Sequence, residues 1–263
     1  FCRDDRAERL HHAAAAAQAH CPVYTASRQV MERVVGFDMH RGVLACGECR
    51  PRPGNPPLPD ETALLKAAHT LVVLEEAANH DNVGSVFRAV AALAHDPPRT
   101  VGGVLLSRRS CDPLYRKSIR VSMGAALRVP WAWAEPWRDN AGGVLARLHQ
   151  AGFATLALTP APGAQPLEAV ASSLRHPATP PGTNPTTNPA AGQVEAADRS
   201  PETPRPRTDA SQKVAVLVGA EGPGLTQDTL SRATHRVIIP QSGWFDSLNA
   251  ATATAIALHR LRR

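Results

Sequence analysis

The stretch Lys213–Leu258, KVAVLVGAEGPGLTQDTLSRATHRVIIPQSGWFDSLNAATATAIAL, decides the fold of this chain. It opens with an apolar run, Val214–Val218, in which polar and apolar residues do not alternate. Such a run is typical of a strand buried on both faces of a parallel sheet. Gly219, Gly222 and Gly224 follow at once, and glycine lets the backbone turn sharply and approach a ligand closely. The stretch therefore predicts a buried strand that ends in a ligand-binding loop.

The second half of the same stretch predicts another strand and two helix starts. Thr226 is placed to cap a short helix, and a strand at Arg236–Ile239 ends at Pro240. Asp246 or Ser247 is expected to cap a final helix of small residues. Because the carboxyl ends of parallel strands lie at one edge of a sheet, these loops and helix starts should meet in one crevice, the usual ligand site of an α/β sheet.

The glycine spacing separates this loop from two common nucleotide-binding loops. The spacing is G-x-x-G-x-G, and no Asp or Glu ends the next predicted strand, where a dinucleotide-binding protein has its ribose-binding carboxylate. The phosphate-binding pattern G-x-x-x-x-G-K-[ST] is absent from the chain. A nucleotide-dependent oxidoreductase and a P-loop protein are therefore disfavoured, and bound NAD would revive the first of these alternatives.

Three motifs in a fixed order resemble those of a known family. GAEGPGL (219–225) and IPQSGWFDSLNAATATA (239–255) resemble the last two motifs of the SpoU (TrmH-type) RNA ribose methyltransferases of the SPOUT superfamily. NHDNVGSVFR (79–88) resembles the first motif, and the resemblance runs from Leu71 to Leu258 apart from one insertion. It implies an α/β fold with a mostly parallel sheet and a deep C-terminal trefoil knot, S-adenosylmethionine bound in that knot, and a homodimer.

The resemblance also implies the residues of the site. Backbone groups around three positions would hold the methyl donor: Gly219, Ile239 and Leu248. The implied catalytic set is Asn82, Arg88, Glu221, Ser247 and Asn249. A guanidinium is effectively always protonated, so we expect Arg88 to orient the ribose and phosphate and to stabilise developing alkoxide charge. Each polar member has a plainer interpretation: a helix cap for Asn82 and Ser247, a loop acceptor for Glu221 and a first-turn hydrogen bonder for Asn249.

The composition of the chain changes at two places and so predicts its domains. Residues 1–49 resemble part of the family's small α+β RNA-binding domain, and residues 50–60, RPRPGNPPLPD, predict a semi-rigid proline-rich linker. Residues 61–263 predict the methyltransferase domain. An insertion at about 172–212 is rich in Pro, Thr and Ala, with almost no large apolar residues in its central part, so we expect it to be disordered.

The charge of the chain favours a polyanionic partner. Lys and Arg number 29 against 23 Asp and Glu, a formal net charge of +6. RNA fits this excess, because each neutralised phosphate releases counterions, and both tRNA and rRNA stay open. The basic segment Ser107–Ser122 is either a face for RNA or an ordinary solvated helix. The main alternative function is a catalytically silent SPOUT-like RNA-binding protein, which the presence of Asn82, Arg88, Glu221 and Asn249 disfavours.

The remaining signals concern metals, membranes and compartment. Five scattered cysteines include Cys46-x-x-Cys49, but no second pair of ligands nearby completes a zinc site, so no metal is expected. Free thiols fit a reducing cytoplasm, where we expect the protein to reside. No apolar run of about 18 residues occurs, and no membrane-spanning segment is therefore expected.

Overall fold

The computed structural model describes residues 2–16, 22–37, 42–47, 60–95, 101–138, 141–175, 212–244 and 247–262. Its contacts divide the chain into two compact units, Phe1–Asn55 and Pro56–Arg263. The division falls within the predicted linker, of which only Asp60 belongs to the described residues. The linker and the RNA-binding role of residues 1–49 stay predictions.

The first unit is mainly helical where it is described. It contains a 3-10 helix and two α-helices: Asp4–Arg6, α1 (Ala7–Ala16) and α2 (Arg28–Val35). Helix α1 has no buried residue, as expected for a surface helix, and α2 buries Met31. Strand pairing among the described residues of this unit is limited to single bridges from Cys2 to Thr25 and Val43. The β part of the predicted α+β domain is therefore reduced here to isolated bridges.

The second unit is built on a seven-stranded sheet. Its strands are β1 (Thr70–Leu74), β2 (Gly102–Leu106), β3 (Trp131–Trp133), β4 (Phe153–Leu158), β5 (Gln165–Pro166), β6 (Lys213–Val218) and β7 (His235–Ile238). Their order is β3-β2-β1-β6-β4-β7-β5, and every neighbouring pair is parallel. This confirms the predicted mostly parallel α/β sheet, and the trefoil knot stays a prediction.

Helices cover both faces of this sheet. They are α3 (Glu61–Ala67), α4 (His80–Leu93), α5 (Arg116–Val121), a 3-10 helix at Ala125–Leu127, α6 (Gly143–Gln150), α7 (Leu167–Arg175), α8 (Gln227–Arg232) and α9 (Ala250–Leu261). Successive strand residues point to opposite faces, so Val72 packs in one apolar cluster with Phe87 of α4, and Val73 packs in another with Leu64 of α3. Because the strands are buried on both faces, their sequences are continuous apolar runs.

Strand β6 lies at the centre of the sheet, as its sequence predicts. It pairs with β1 from Val214 opposite Thr70 to Val218 opposite Leu74, and with β4 on its other side. All of Val214–Val218 is buried. The loop that follows β6 therefore leaves the sheet at its carboxyl edge, beside the ends of β1, β4 and β7.

The predicted cap of the last helix and the predicted start of the insertion are both wrong. Helix α9 is capped by Asn249 rather than by Asp246 or Ser247, because the Asn249 Oδ1 accepts from the backbone N–H groups of Ala251 at 3.0 Å and Thr252 at 3.2 Å. Asp246 lies outside the described residues.

Helix α7 continues through Arg175, so residues 172–175 of the predicted disordered insertion are helical. The apolar spacing of Val170, Ala171 and Leu174 carries the helix to that point, and all three pack against the core. Residues 176–211 of the insertion lie outside the described part of the chain. Within the described ranges, the structure contains no helix with the length and apolar character that crossing a membrane requires.

Candidate functional site

The carboxyl ends of β4, β6 and β7 border a cavity of about 420 Å³, here called the main cavity. It is lined by Leu158, Thr159, Pro160, Val218, Gly219, Ala220, Glu221, Gly222, Gly224, Val237, Ile238, Ile239, Gln241, Ser247, Leu248, Asn249, Ala250 and Ala253. Its volume lies in the usual range of about 300–1,000 Å³ for small-molecule sites. All three expected donor-binding residues line it, and so do Glu221, Ser247 and Asn249 of the expected catalytic set.

The glycine loop, residues 219–225, forms one wall of the main cavity, and its glycines serve different purposes. A Cβ at Gly219 would collide with the backbone of Gly224 and Leu225, so only glycine allows that close approach. Gly222 and Gly224 have φ of +87° and +71°, in the left-handed region that disfavours other residues. The Gly224 N–H donates to the Ala220 carbonyl oxygen at 3.0 Å and closes the turn.

The three motifs are joined by a chain of side-chain hydrogen bonds, here called the Asn–Glu cluster. The Asn249 Nδ2 donates to the Asn82 Oδ1 at 3.0 Å, and the Asn82 Nδ2 donates to the Glu221 Oε1 at 2.6 Å. The Asn79 Nδ2 donates to the Glu221 Oε2 at 3.3 Å. The backbone N–H groups at the start of α9 occupy the Asn249 Oδ1, so the amide N of Asn249 must face Asn82. The Oδ1 of Asn82 is then the acceptor, which leaves the amide N of Asn82 to donate to Glu221.

The cap of α4 is Asn79, whose Oδ1 accepts from the Asp81 N–H at 2.8 Å. The plainer interpretation of Asn82 as a helix cap is therefore wrong, since Asn82 lies within the first turn. Its side chain is 8% exposed and is committed to the Asn–Glu cluster. Asn79 was not identified from the sequence, although it begins the first motif.

A second cavity of about 270 Å³ lies between the start of α4 and the glycine loop. Asn79 and Asn82 line it, whereas Gly219, Ala220 and Glu221 line both this cavity and the main cavity. Glu221 thus borders two spaces at once, with its carboxylate held between the amides of α4. A group bound in either cavity would meet this carboxylate.

Arg88 and Ser247 are not joined to the Asn–Glu cluster. Arg88 is exposed and lines neither of these cavities, and its side chain forms no hydrogen bond or ion pair with other described residues. It follows Asn82 by six positions, which places it on another side of α4. Ser247 is exposed and lines the main cavity, and it too has no hydrogen bond within the described ranges.

Glu75, a buried carboxylate that the sequence analysis missed, lies next to the glycine loop. It follows β1 directly and is only 2% exposed. It accepts hydrogen bonds from Thr226 and Thr229 at the start of α8 and from the indole of Trp137. The sequence signal that could have identified Glu75 is an acidic residue placed directly after a buried strand.

An open groove of about 740 Å³ lies at the carboxyl ends of β2 and β3 and is here called the arginine groove. It is lined by Glu76, Ser107, Arg108, Arg109, Ala134, Glu135, Pro136, Trp137 and Arg138. The side chains of its three arginines are more than half exposed. Arg108 pairs with Glu135 and Arg109 with Glu76, both at 3.1 Å, and exposed pairs of this kind contribute only about 0–1 kcal/mol. A phosphate could therefore replace either carboxylate.

Cys111 lies beside the first turn of α4. Its Sγ donates to the Ala78 carbonyl oxygen at 2.8 Å and lies 3.4 Å from the His80 Nδ1. Burial raises the pKa of the Cys111 thiol. In the part of the chain that the structure describes, no three His, Cys, Asp or Glu side chains gather as metal ligands.

The family model described as the SpoU rRNA Methylase family matches residues 69–259 of this chain. An uncharacterised tRNA/rRNA methyltransferase of Mycobacterium tuberculosis is 36% identical over 242 residues, which cover 92% of this chain and 66% of that protein. The AdoMet-bound rRNA methyltransferase from Sinorhizobium meliloti has a TM-score of 0.59 at 19% identity, covering 98% of this chain and 77% of that one. A SpoU methyltransferase from Streptomyces viridochromogenes has a TM-score of 0.51 at 18% identity, covering 77% and 62%.

The two structural likenesses, at low sequence identity, agree on the fold. The family match has more weight, because it spans most of the chain and contains all three motifs, both cavities and the Asn–Glu cluster. The chain spans 66% of the length of its Mycobacterium tuberculosis relative. The resemblance predicted from the three motifs is confirmed, and the chain belongs to the SpoU rRNA methylase family.

Proposed function

We propose that this protein transfers a methyl group from S-adenosylmethionine to a ribose 2′-hydroxyl of tRNA or rRNA. The single observation that supports this most is the Asn–Glu cluster, which joins all three motifs at the wall of the main cavity. A protein that only bound RNA would not need three distant motifs held together at a small-molecule cavity. Membership of the SpoU family supports the methyl donor and the RNA class of substrate.

The main cavity fits the proposed donor in size and chemistry. Its wall at the glycine loop has little side-chain bulk, so the backbone of Gly219, Gly222 and Gly224 can approach a ligand closely. Ile239 and Leu248 also line the cavity and supply apolar surface. When bound, S-adenosylmethionine supplies an electrophilic methyl group for an in-line displacement.

The residues of the chain would contribute mainly by position and charge. Glu221 is fixed between Asn79 and Asn82 and would orient the glycine loop against the reacting groups. Asn249 and Ser247 lie where the chain enters α9 and would fix that part of the wall. Arg88 lines neither cavity of the site, so its proposed role is toward the RNA, orienting ribose and phosphate and stabilising the developing alkoxide.

The arginine groove is the proposed path for the RNA backbone. It lies at the same carboxyl edge of the sheet as the main cavity, and two of its arginines, Arg108 and Arg109, are held by exposed ion pairs that phosphates could replace. Arg108 and Arg109 belong to the predicted basic segment, whereas Arg138 comes from the chain after β3. Guanidinium groups also match phosphate oxygens in bidentate geometry.

The trefoil knot, the homodimer and a cytoplasmic location complete the proposal. All three come from the family resemblance and the thiol pattern. The dimer is the most accessible of these to measurement: sedimentation equilibrium of the whole chain should give twice the mass of one chain, and a strictly monomeric protein would contradict it.

One experiment tests the proposed function. The protein is titrated with S-adenosylmethionine in a calorimeter, and the same sample is then given total RNA for detection of 2′-O-methylated nucleosides by mass spectrometry. Donor binding followed by a new methylated ribose is the expected result. Donor binding with RNA binding but no product would favour the catalytically silent alternative, and no donor binding would contradict the proposal.

A further inference from the structure

Glu75 contacts the residues that flank both ends of the glycine loop. Its backbone N–H donates to the carbonyl oxygen of Val218, the residue before Gly219, at 2.9 Å. Its side chain reaches Thr226, the residue after Leu225: the Oε2 accepts from the Thr226 N–H at 3.1 Å and the Oε1 from the Thr226 hydroxyl at 2.8 Å. One residue at the end of β1 therefore fixes where the loop leaves β6 and where it enters α8.

The buried carboxylate of Glu75 accepts hydrogen bonds from several donors. Besides Thr226, the Oε1 accepts from the Thr229 hydroxyl and from the Trp137 Nε1, both at 3.1 Å. The Arg138 Nη2 lies 3.7 Å from the same oxygen and adds a cation. Hydrogen bonds to an ionised acceptor are stronger than neutral ones, and a buried carboxylate is costly without them. The arrangement needs a carboxylate, since every close partner is a donor.

Apart from the hydrogen bonds of Glu221 to Asn79 and Asn82, the glycine loop has little to hold its shape between its two ends. Its one internal backbone hydrogen bond among the described residues joins Gly224 to Ala220. Three glycines give its backbone more freedom than other residues would, so its anchors decide its conformation. The loop lines the main cavity from Gly219 to Gly224, and a displaced anchor would change the wall of that cavity.

We infer that Glu75 is a positioning residue, whose buried carboxylate holds the glycine loop in the shape that receives the methyl donor. It does not line the main cavity and acts through Thr226. The identity of the ligand rests on the proposed function, whereas the fixing of the loop does not.

The first test measures the loop without any ligand. Glu75→Gln keeps the size of the side chain but puts an NH₂ group where an oxygen accepts. We expect amide hydrogen exchange in peptides covering residues 219–226 to become about tenfold faster, which corresponds to about 1.4 kcal/mol. The matched control is Glu61→Gln, which removes a carboxylate that is bonded to Arg147, at 2.6 and 3.1 Å, rather than to the loop. Loop exchange equal in Glu75→Gln and wild type would overturn the inference.

The second test measures the ligand. Glu75→Gln should raise the Kd and the KM for S-adenosylmethionine about tenfold and change the KM for RNA much less, because the loop lines the main cavity whereas Arg108 and Arg109 of the arginine groove pair with other carboxylates. A general loss of stability would not split the two KM values in this way, and Glu61→Gln should show no split. If wild-type protein binds no donor, the proposed function fails, and the exchange measurement still decides the role of Glu75.

A pair of smaller changes keeps the inference testable if Glu75→Gln does not fold. Thr226→Val removes the hydroxyl that donates to Glu75 and also caps α8, whereas Thr226→Ser keeps both contacts. We expect faster loop exchange in Thr226→Val and near wild-type exchange in Thr226→Ser. Equal exchange in the two variants would contradict a role for the hydroxyl contact and overturn the inference.

Discussion

At the scale of single residues, the direction of each hydrogen bond in the Asn–Glu cluster is set by the backbone. The α9 cap occupies the Oδ1 of Asn249, and this leaves its amide N for Asn82 and the amide N of Asn82 for Glu221. Glu221 therefore receives only donors, and its carboxylate is held in one orientation between the two cavities. Arg88 is the one expected catalytic residue that neither joins this cluster nor lines these cavities.

Replacement of Arg88 by alanine should separate donor binding from methyl transfer. Because Arg88 lines neither cavity, the variant should fold and bind S-adenosylmethionine with wild-type affinity. Loss of one group that stabilises transition-state charge costs about 10²–10³ in kcat, and we expect a loss of that size. Donor calorimetry and single-turnover methylation of RNA measure the two effects.

Arg128→Ala is the control for that experiment, since Arg128 is likewise exposed and its side chain makes no hydrogen bond or ion pair with described residues. Near-normal turnover of Arg88→Ala would remove Arg88 from the mechanism.

Cys111 should react slowly with alkylating agents at neutral pH. Burial raises the pKa of its thiol, and the thiolate is the reactive form, so less of the nucleophile is present at a given pH. The alkylation rate should climb only as the pH rises past the ordinary range of a cysteine, about 8.5. Peptide mass spectrometry after timed iodoacetamide treatment follows Cys111 and the exposed Cys46 in one sample. Equal rates for the two thiols at neutral pH would contradict the prediction.

At the scale of elements, the sequence predicts best where a whole strand is buried. The run at β6 is continuous and apolar, and its predicted bounds, Val214–Val218, lie within one residue of the observed ones. The apolar residues of Leu127–Trp133 predict a longer strand than β3, which covers only Trp131–Trp133, because a 3-10 helix ends at Leu127 and Pro130 has no N–H for the sheet.

The residues of the site likewise fall into two groups, those that a sequence pattern predicts and those that it does not. The motif residues follow from the family resemblance, and the main cavity was expected from the meeting of strand ends. Asn79 and Glu75 stand alone in the sequence, and their roles depend on partners far along the chain, Glu221 and Thr226. No local periodicity marks such a residue, since its importance arises only when the distant partner is in place.

Gly219→Ala should damage the glycine loop as a unit. The added Cβ collides with the backbone of Gly224 and Leu225, so the turn has to open. Overpacking of this kind costs about 1–3 kcal/mol of stability, and the donor Kd should rise at least about tenfold because the cavity wall moves. Gly47→Ala is the control, since its Cβ would meet nothing within 4 Å.

Thermal unfolding of both variants measures the loss of stability, and donor calorimetry measures the change in Kd. A Gly219→Ala protein with wild-type donor affinity would show that the close approach of the loop backbone does not shape the main cavity.

At the scale of the whole molecule, we expect the excess positive charge to attract RNA mainly at the arginine groove. Replacement of Arg108, Arg109 and Arg138 by alanine removes up to three phosphate contacts. For single-stranded RNA each contact contributes about 0.7 to the slope of log affinity against log salt, so the slope should fall by about 2. Fluorescence anisotropy of a labelled single-stranded RNA across a salt series measures it.

The control triple variant replaces Arg128, Arg236 and Arg260, exposed arginines outside the groove. An equal fall in slope for both triple variants would show that net charge alone attracts RNA. Donor affinity should be unchanged in the control variant, because none of its three arginines lines the main cavity.

The central position of β6 has a consequence for synthesis on the ribosome. Strands β1 and β4 have no direct pairing and are joined only through β6, which comes about 140 residues after β1 in the chain. At about 5–20 residues per second, roughly 7–28 seconds pass before that strand is made. During that interval the nascent chain presents an open apolar strand edge at β1, which invites pairing with other chains. We expect a ribosome-bound chaperone to occupy this edge, and folding of the sheet to wait until β6 has left the ribosome.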